Sequence, residues 1–350
     1  MTPSGTPKLP ASLPASLPAN RPAFLWALST TAATFALLVV GGTVNPTGSS
    51  LACPDWPLCY GQVFPTMEGG VLFEHSHRLL ASAVGLCTLV LAALLGRRRQ
   101  QDRAGAWLGL LAVAAVIAQG TLGGLTVIYR LPPAVSVAHL ALSMIFFTLV
   151  IYLSFRAYYG GTLCAALRSS GATRTPAPHD PTTNSGGNPA PGPPLAVAAL
   201  WVAIYGQLLL GALVRHLHAG RLCGNDPLLC DGFSLWPEVS LQRLHMLHRI
   251  VAVLLAFAAV AVALAAQRRA ALLQRRLARI TALAIPWLAL TQVLLGAATV
   301  MTGIGVVPAT LHLAGGALLL GATTVVHLDL VRPAVGPKTG GASARAVSSC

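Results

Sequence analysis

Apolar residues run almost without interruption through eight stretches of this chain, roughly 23 to 42, 77 to 96, 105 to 127, 134 to 156, 195 to 214, 247 to 266, 279 to 300 and 307 to 329. At a rise of about 1.5 Å per residue, each is long enough to cross about 30 Å of hydrocarbon as a helix. The pattern predicts an all-α integral membrane protein with eight transmembrane helices. The first stretch is longer than a signal-peptide core and no A-x-A cleavage site follows it, so it reads as a retained helix.

Composition agrees. Hydrophobic residues make up 55% of the chain and charged residues 9%, whereas a soluble domain is about a quarter charged. The formal net charge of +14 points to no nucleic-acid partner, because the basic residues gather in short connections. Arg97, Arg98, Arg99 and Arg103 form one group; Arg268, Arg269, Arg275, Arg276 and Arg279 form the other. The positive-inside rule makes these loops cytoplasmic and puts both termini on the same side. Segment 43–76 holds no Lys or Arg and reads as external; the other external segment, 215–246, carries Arg215, Arg221 and Arg243 against the trend.

Two Pro-, Ser- and Ala-rich segments cannot bury enough apolar surface to offset their ordering entropy. The chain therefore divides into a disordered N-terminal segment 1–22, a four-helix half 23–158, a disordered cytoplasmic linker 159–194, a second four-helix half 195–330 and a cytoplasmic tail 331–350. His179 in the linker is a solvated bystander.

The halves repeat each other. His77 and His139 lie in apolar segments of the first half, His248 and His312 in those of the second. Thr126 stands thirteen residues before His139 and Thr299 thirteen before His312. Gln119 and Gly123 match Gln292 and Gly296, and Arg78 matches Arg249. The fold expected is two duplicated four-helix bundles. Small residues Gly123, Gly124, Gly296 and Ala297 let helices approach, which is a packing role. Polar rings within a bilayer are costly and mark function. Two imidazoles on facing helices can ligate one iron from opposite sides, so the pattern points to two haem-like sites near the outer leaflet.

One position breaks the symmetry. Glu74 precedes His77 by three residues, on the same helical face, where the second half has His245. A carboxyl beside one metal site suits general acid/base work or proton relay; the bland reading is a charge at a helix N-terminus. Cysteines form a second repeat: Cys53 and Cys59 in CPDWPLCYG, Cys223 and Cys230 in CGNDPLLCDG. In an oxidising compartment both pairs can close disulfides. A structural staple is the better reading for the second pair, a labile redox bond is open for the first, and zinc is disfavoured because the C-x2-C spacing is absent. Cys87, Cys164 and Cys350 have no evident partner.

GGTVNPTGSSLACPDWPLCYGQVFP, followed by EHSHR, GGLTV and AHL, resembles the haem A synthase family from about residue 30 to 325. The resemblance implies an eight-helix enzyme of the bacterial plasma membrane that oxidises the C8 methyl of haem O to a formyl group by successive hydroxylations. It implies a substrate-haem site at His77 and His139 with Glu74 catalytic, haem b held by His248 and His312, and Cys53 paired with Cys59. Partners expected are haem O supplied by haem O synthase, that synthase and oxidase assembly factors in complex, membrane lipid, an electron acceptor the sequence does not identify, and a second copy of the chain. The linker and His245 depart from the family pattern without touching its motifs. Two other classes share paired intramembrane histidines: a bis-histidine b-type cytochrome that oxidises quinol, and a haem transporter or chaperone.

Overall fold

The computed structural model describes residues 20–160 and 192–332. Most of the segments read as disordered, and with them Cys164, His179 and Cys350, lie outside the described residues. Among the described residues, eight helices are long and apolar enough to cross a membrane. They are α1 (Arg21–Val44), α2 (Gly69–Gly96), α3 (Arg103–Ile128), α4 (Pro133–Tyr159), α5 (Pro193–His216), α6 (Ser240–Leu272), α7 (Arg276–Met301) and α8 (Val306–Val331), with a 3-10 turn at Ala219–Arg221.

Two helix starts differ from the sequence reading. α2 begins at Gly69 and α6 at Ser240, several residues before the apolar runs at 77 and 247. The extra turns carry Glu74 and His75 or Arg243 and His245. Their polarity hides them from an apolar count, yet helix propensity and tertiary contacts keep them helical. The expected segment boundaries at 22, 159 and 194 shift likewise: Asn20 Oδ1 caps Ala23 N–H, α4 runs through Tyr159 and α5 opens at Pro193. Arg215 was expected in an external loop. It belongs to the last turn of α5.

Helices α1 to α4 close into a ring, each touching the next and α4 touching α1; α5 to α8 do the same. The rings meet where α8 packs on α1 and α4, and α5 on α4. Consequently α8 is the innermost helix: 56% of its most apolar stretch is buried, against 28% or less for the others. Small residues make the contacts close. On α6, Ala259, Ala263, Ala266 and Ala270 are fully buried, and α7 presents Ala278, Ala282, Ile285 and Ala289. Both sets are spaced four, three and four apart, a seam of short side chains that lets two backbones approach in lipid, where dispersion replaces the hydrophobic drive.

The basic ends are pinned by acids. Asp102 accepts the Gly105 N–H at 2.8 Å and pairs with Arg156 of α4. Asp329 accepts the Ala278 N–H at 2.8 Å and pairs with Arg332. Burial pushes the Asp102 carboxyl up, but Arg156 and the Gly105 N–H outweigh it and hold it below the usual carboxylate value. At the opposite end Arg215 Nε donates to Asn45 Oδ1 at 3.0 Å and Nη2 to the Gly42 carbonyl at 3.4 Å, tying α5 to α1 across the ring junction.

Candidate functional site

The four histidines stand at the end away from the basic loops, two turns into the even-numbered helices. His77 and His248 each follow a helix start by eight residues (69 to 77, 240 to 248), His139 and His312 by six (133 to 139, 306 to 312). All four are half-buried.

Opposite each ring the preceding helix carries a glycine. A Cβ would lie 2.8 Å from His77 Cε1 at Gly41, 3.2 Å from His139 Cε1 at Gly123, 2.9 Å from His248 Cε1 at Gly211 and 3.3 Å from His312 Cε1 at Gly296. These positions lack a side chain because an imidazole occupies the space. Packing was expected of Gly123 and Gly296; what they pack is the site ring itself. Gly124 does the same for Trp56, whose Cδ2 would sit 2.8 Å from an added Cβ.

Glutamine precedes three of those glycines by four residues, one turn: Gln119, Gln207 and Gln292, with Leu37 in the corresponding place on α1. Gln119 Nε2 donates to the His139 carbonyl at 2.9 Å and lies 3.1 Å from its Nδ1. Gln207 does the same to His248, at 2.8 and 3.0 Å. Each amide also has a buried, unpaired oxygen, so rotation offers an acceptor to an Nδ1–H ring tautomer. Gln292 turns instead toward Gly315.

The second pair has ligand geometry. The rings of His248 and His312 meet edge-on, with centroids 6.4 Å apart and planes at 88°. Two imidazoles bound to one metal at about 2 Å place their ring centres about 6 Å apart. The residues present therefore fit an iron held from both sides.

Ahead of each pair a disulfide loop covers the helix end. Cys53 is bonded to Cys59 and Cys223 to Cys230; Cys87 is free. The arginine after each leading histidine staples its loop. Arg78 Nη1 donates to the Asp55 carbonyl at 2.7 Å and the Leu58 carbonyl at 2.5 Å. Arg249 Nη1 donates to those of Asp226 and Leu229 at 2.8 and 3.3 Å. Inside the first loop the Asp55 carboxylate accepts the Gly61 and Tyr60 N–H groups at 2.8 and 2.7 Å. The Gly61 bond above all, with Tyr60 and Arg78, holds that carboxyl below its ordinary value. Asp226 is depressed in the same way by the Leu229 and Leu228 N–H groups.

Glu74 is neither exposed nor at a helix end. It is 4% exposed, one oxygen 2.5 Å from Arg78 Nη2 and the other accepting the Cys53 N–H at 2.9 Å. His245 occupies the matching place, and its Nε2 receives Arg249 Nε at 3.3 Å. Where Arg78 Nη2 finds a carboxylate, Arg249 Nη2 is buried without a partner.

The structure thus brings together His248 with His312, and Glu74 with the Cys53 loop. Sequence reasoning missed Gly41, Gly211, Gln207 and His75. The triple recurrence of Q-x3-G at 119–123, 207–211 and 292–296 was the available signal for the second and third.

The sequence model described as cytochrome oxidase assembly protein, COX15-CtaA, matches residues 24–73 and 69–324, which span all eight helices and both disulfide loops. The chain belongs to the COX15-CtaA family. Among its relatives is the heme A synthase of Shouchella clausii, 29% identical over 65% of this chain and 70% of the relative. The heme A synthase of Halalkalibacterium halodurans is 28% identical, covering 65% and 70%, and that of Alkalihalophilus pseudofirmus 27% identical, covering 66% and 72%. The paired histidines and loop cysteines of this COX15-CtaA chain all fall within the matched residues.

Proposed function

We propose that this protein is a haem A synthase of the bacterial plasma membrane, with both termini cytoplasmic, that oxidises the C8 methyl of haem O to a formyl group through successive hydroxylations and loss of water. The observation that carries the reading is the inequality of two similar sites within a chain of this family. One histidine pair has a carboxylate one turn away, and the other has an imidazole there.

His248 and His312 hold haem b, whose iron supplies a route for electrons away from the substrate. Their 6.4 Å separation supports that assignment. His77 and His139 bind haem O, whose long isoprenoid tail belongs in lipid, and Gly41 and Gly123 give their rings room. Glu74 is the group available to take protons from the reacting side. Arg78 and the Cys53 N–H hold its two oxygens in place, as a group that moves a proton requires. Haem O synthase and oxidase assembly factors are the partners that deliver substrate and take product.

Pigment extracted from the purified chain and identified by mass spectrometry tests the proposal. Haem O, its hydroxylated form and haem A together with haem b are expected. Haem b alone would mark an electron-transfer cytochrome instead.

A further inference from the structure

The two disulfides rest on different floors. Cys223 and Cys230 pack on Met246 in an apolar cluster. The residue at the equivalent place in α2, two before the site histidine, is His75. Its side chain is 3% exposed, and one of its ring nitrogens and the Cys53 and Cys59 sulfurs all lie within 4.8 Å of one another.

The proton on that ring can be located. His75 Nε2 is 2.8 Å from the Val63 carbonyl oxygen. A carbonyl only accepts, so Nε2 carries the hydrogen and Nδ1 the lone pair. Nδ1 is buried with no hydrogen-bond partner. A buried acceptor left unmatched is unfavourable, and the ring that carries it lies beside two sulfurs. An imidazole that gives its far N–H to a backbone carbonyl is oriented as metal-bound histidines are.

We propose that the reduced form of this cluster is a metal site, in which the Cys53 and Cys59 thiolates and His75 Nδ1 bind one Zn(II), with water in the fourth position. The sequence spacing disfavoured zinc for the cysteines alone. The fold adds the third ligand. Two thiolates and an imidazole are a donor set suited to that cation. Opening the site takes two electrons and two protons: an external protein dithiol reduces the disulfide, becomes a disulfide itself and leaves two thiols. Zn(II) then displaces both thiol protons. The sulfurs move apart to the spacing of about 3.5 Å that two thiolates adopt on one metal, a motion that rotation of the two side chains supplies. An external protein disulfide takes the two electrons back by thiol–disulfide exchange, becomes a dithiol, re-forms the Cys53–Cys59 bond and so releases the cation. The second loop lacks this capacity, since its third group is the Met246 thioether.

The test uses the full chain in detergent, reduced with a phosphine and freed of excess reductant. Titration with Co(II) should give a thiolate charge-transfer band at one equivalent, and one equivalent of Zn(II) should abolish it. The oxidised chain and the Cys53→Ser/Cys59→Ser variant should show neither. His75→Phe should weaken Zn(II) binding by about tenfold or more, while His75→Cys should keep it with a stronger band. Thiol counting without reductant confirms that the loop still closes in each His75 variant. The proposal is overturned if the reduced chain binds no more Zn(II) than the double serine variant, or if His75→Phe binds as tightly as the unaltered chain. Neither outcome bears on the haem reading.

Discussion

Glu74 and Arg78 form a buried ion pair one helical turn apart on α2, 2.5 Å from oxygen to nitrogen, and the second carboxylate oxygen holds the Cys53 backbone N–H. A single side chain thereby joins the disulfide loop to the helix that carries His77. Removing the charge while keeping the shape separates its two duties. Glu74→Gln can still accept the Cys53 N–H but can neither carry a proton nor pair with Arg78. It should retain haem O and haem b yet form haem A at about a hundredth of the normal rate or less, the usual contribution of a positioned acid or base. Cys53 and Cys59 should stay inaccessible to thiol reagents. Near-normal haem A formation would reduce Glu74 to an anchor for the loop.

His248→Ala and His312→Ala should each deplete haem b, because either change removes one of the two imidazoles that would hold it. Absorption spectra and haem extraction from purified protein decide it, and unchanged content in both variants would remove these residues from the haem b site.

Gly211→Ala should act on His248 without touching it chemically. The added methyl would lie 2.9 Å from Cε1, whereas a methyl on Gly206 of the same helix meets nothing within 4 Å. Gly206→Ala should therefore leave haem b content and its spectrum unaltered, and Gly211→Ala should lower the first and shift the second. Equal behaviour of the two variants would show that the ring moves aside freely.

Asp55 makes the first loop sensitive to acid. Its carboxyl is held below the ordinary value of 3.8, first by the Gly61 N–H, so its contribution to loop order is present above that value and is lost as pH falls through the lower folded one. Amide exchange at Tyr60 and Gly61, corrected for intrinsic rate, should stay slow at pH 7 and at pH 5 and accelerate only once the pH has fallen below the ordinary carboxyl value of 3.8. Asp55→Asn should exchange faster even at pH 7, because a neutral amide offers one acceptor oxygen where two N–H groups need partners. Exchange indistinguishable from the unaltered chain at pH 7 would show that the disulfide and Arg78 hold the turn unaided.

Much of the architecture is written in local pattern. A span must be long and apolar to cross lipid, so all eight helices were legible as runs, and what escaped lay at helix ends, chiefly Gly69 to Ser76 on α2, Ser240 to Met246 on α6 and Arg215 with His216 on α5. The Glu74–Arg78 pair was legible in principle, since residues four apart share a helix face. The Arg215 link to Asn45 was not, because it joins positions 170 residues apart.

By itself the sequence determined which segments enter the membrane and which side chains repeat between halves, because hydropathy and spacing are properties of one strand of chain. Tertiary structure decided what those side chains meet. The order of α1 to α4 around a ring puts Gly41 against His77. The facing of α6 and α8 sets His248 and His312 at 6.4 Å, and the fold-back of the first loop lays a disulfide over His75. Helix-to-helix facing depends on rotation and register, and in lipid these follow from the close packing of small residues on separate helices, which no single apolar run encodes.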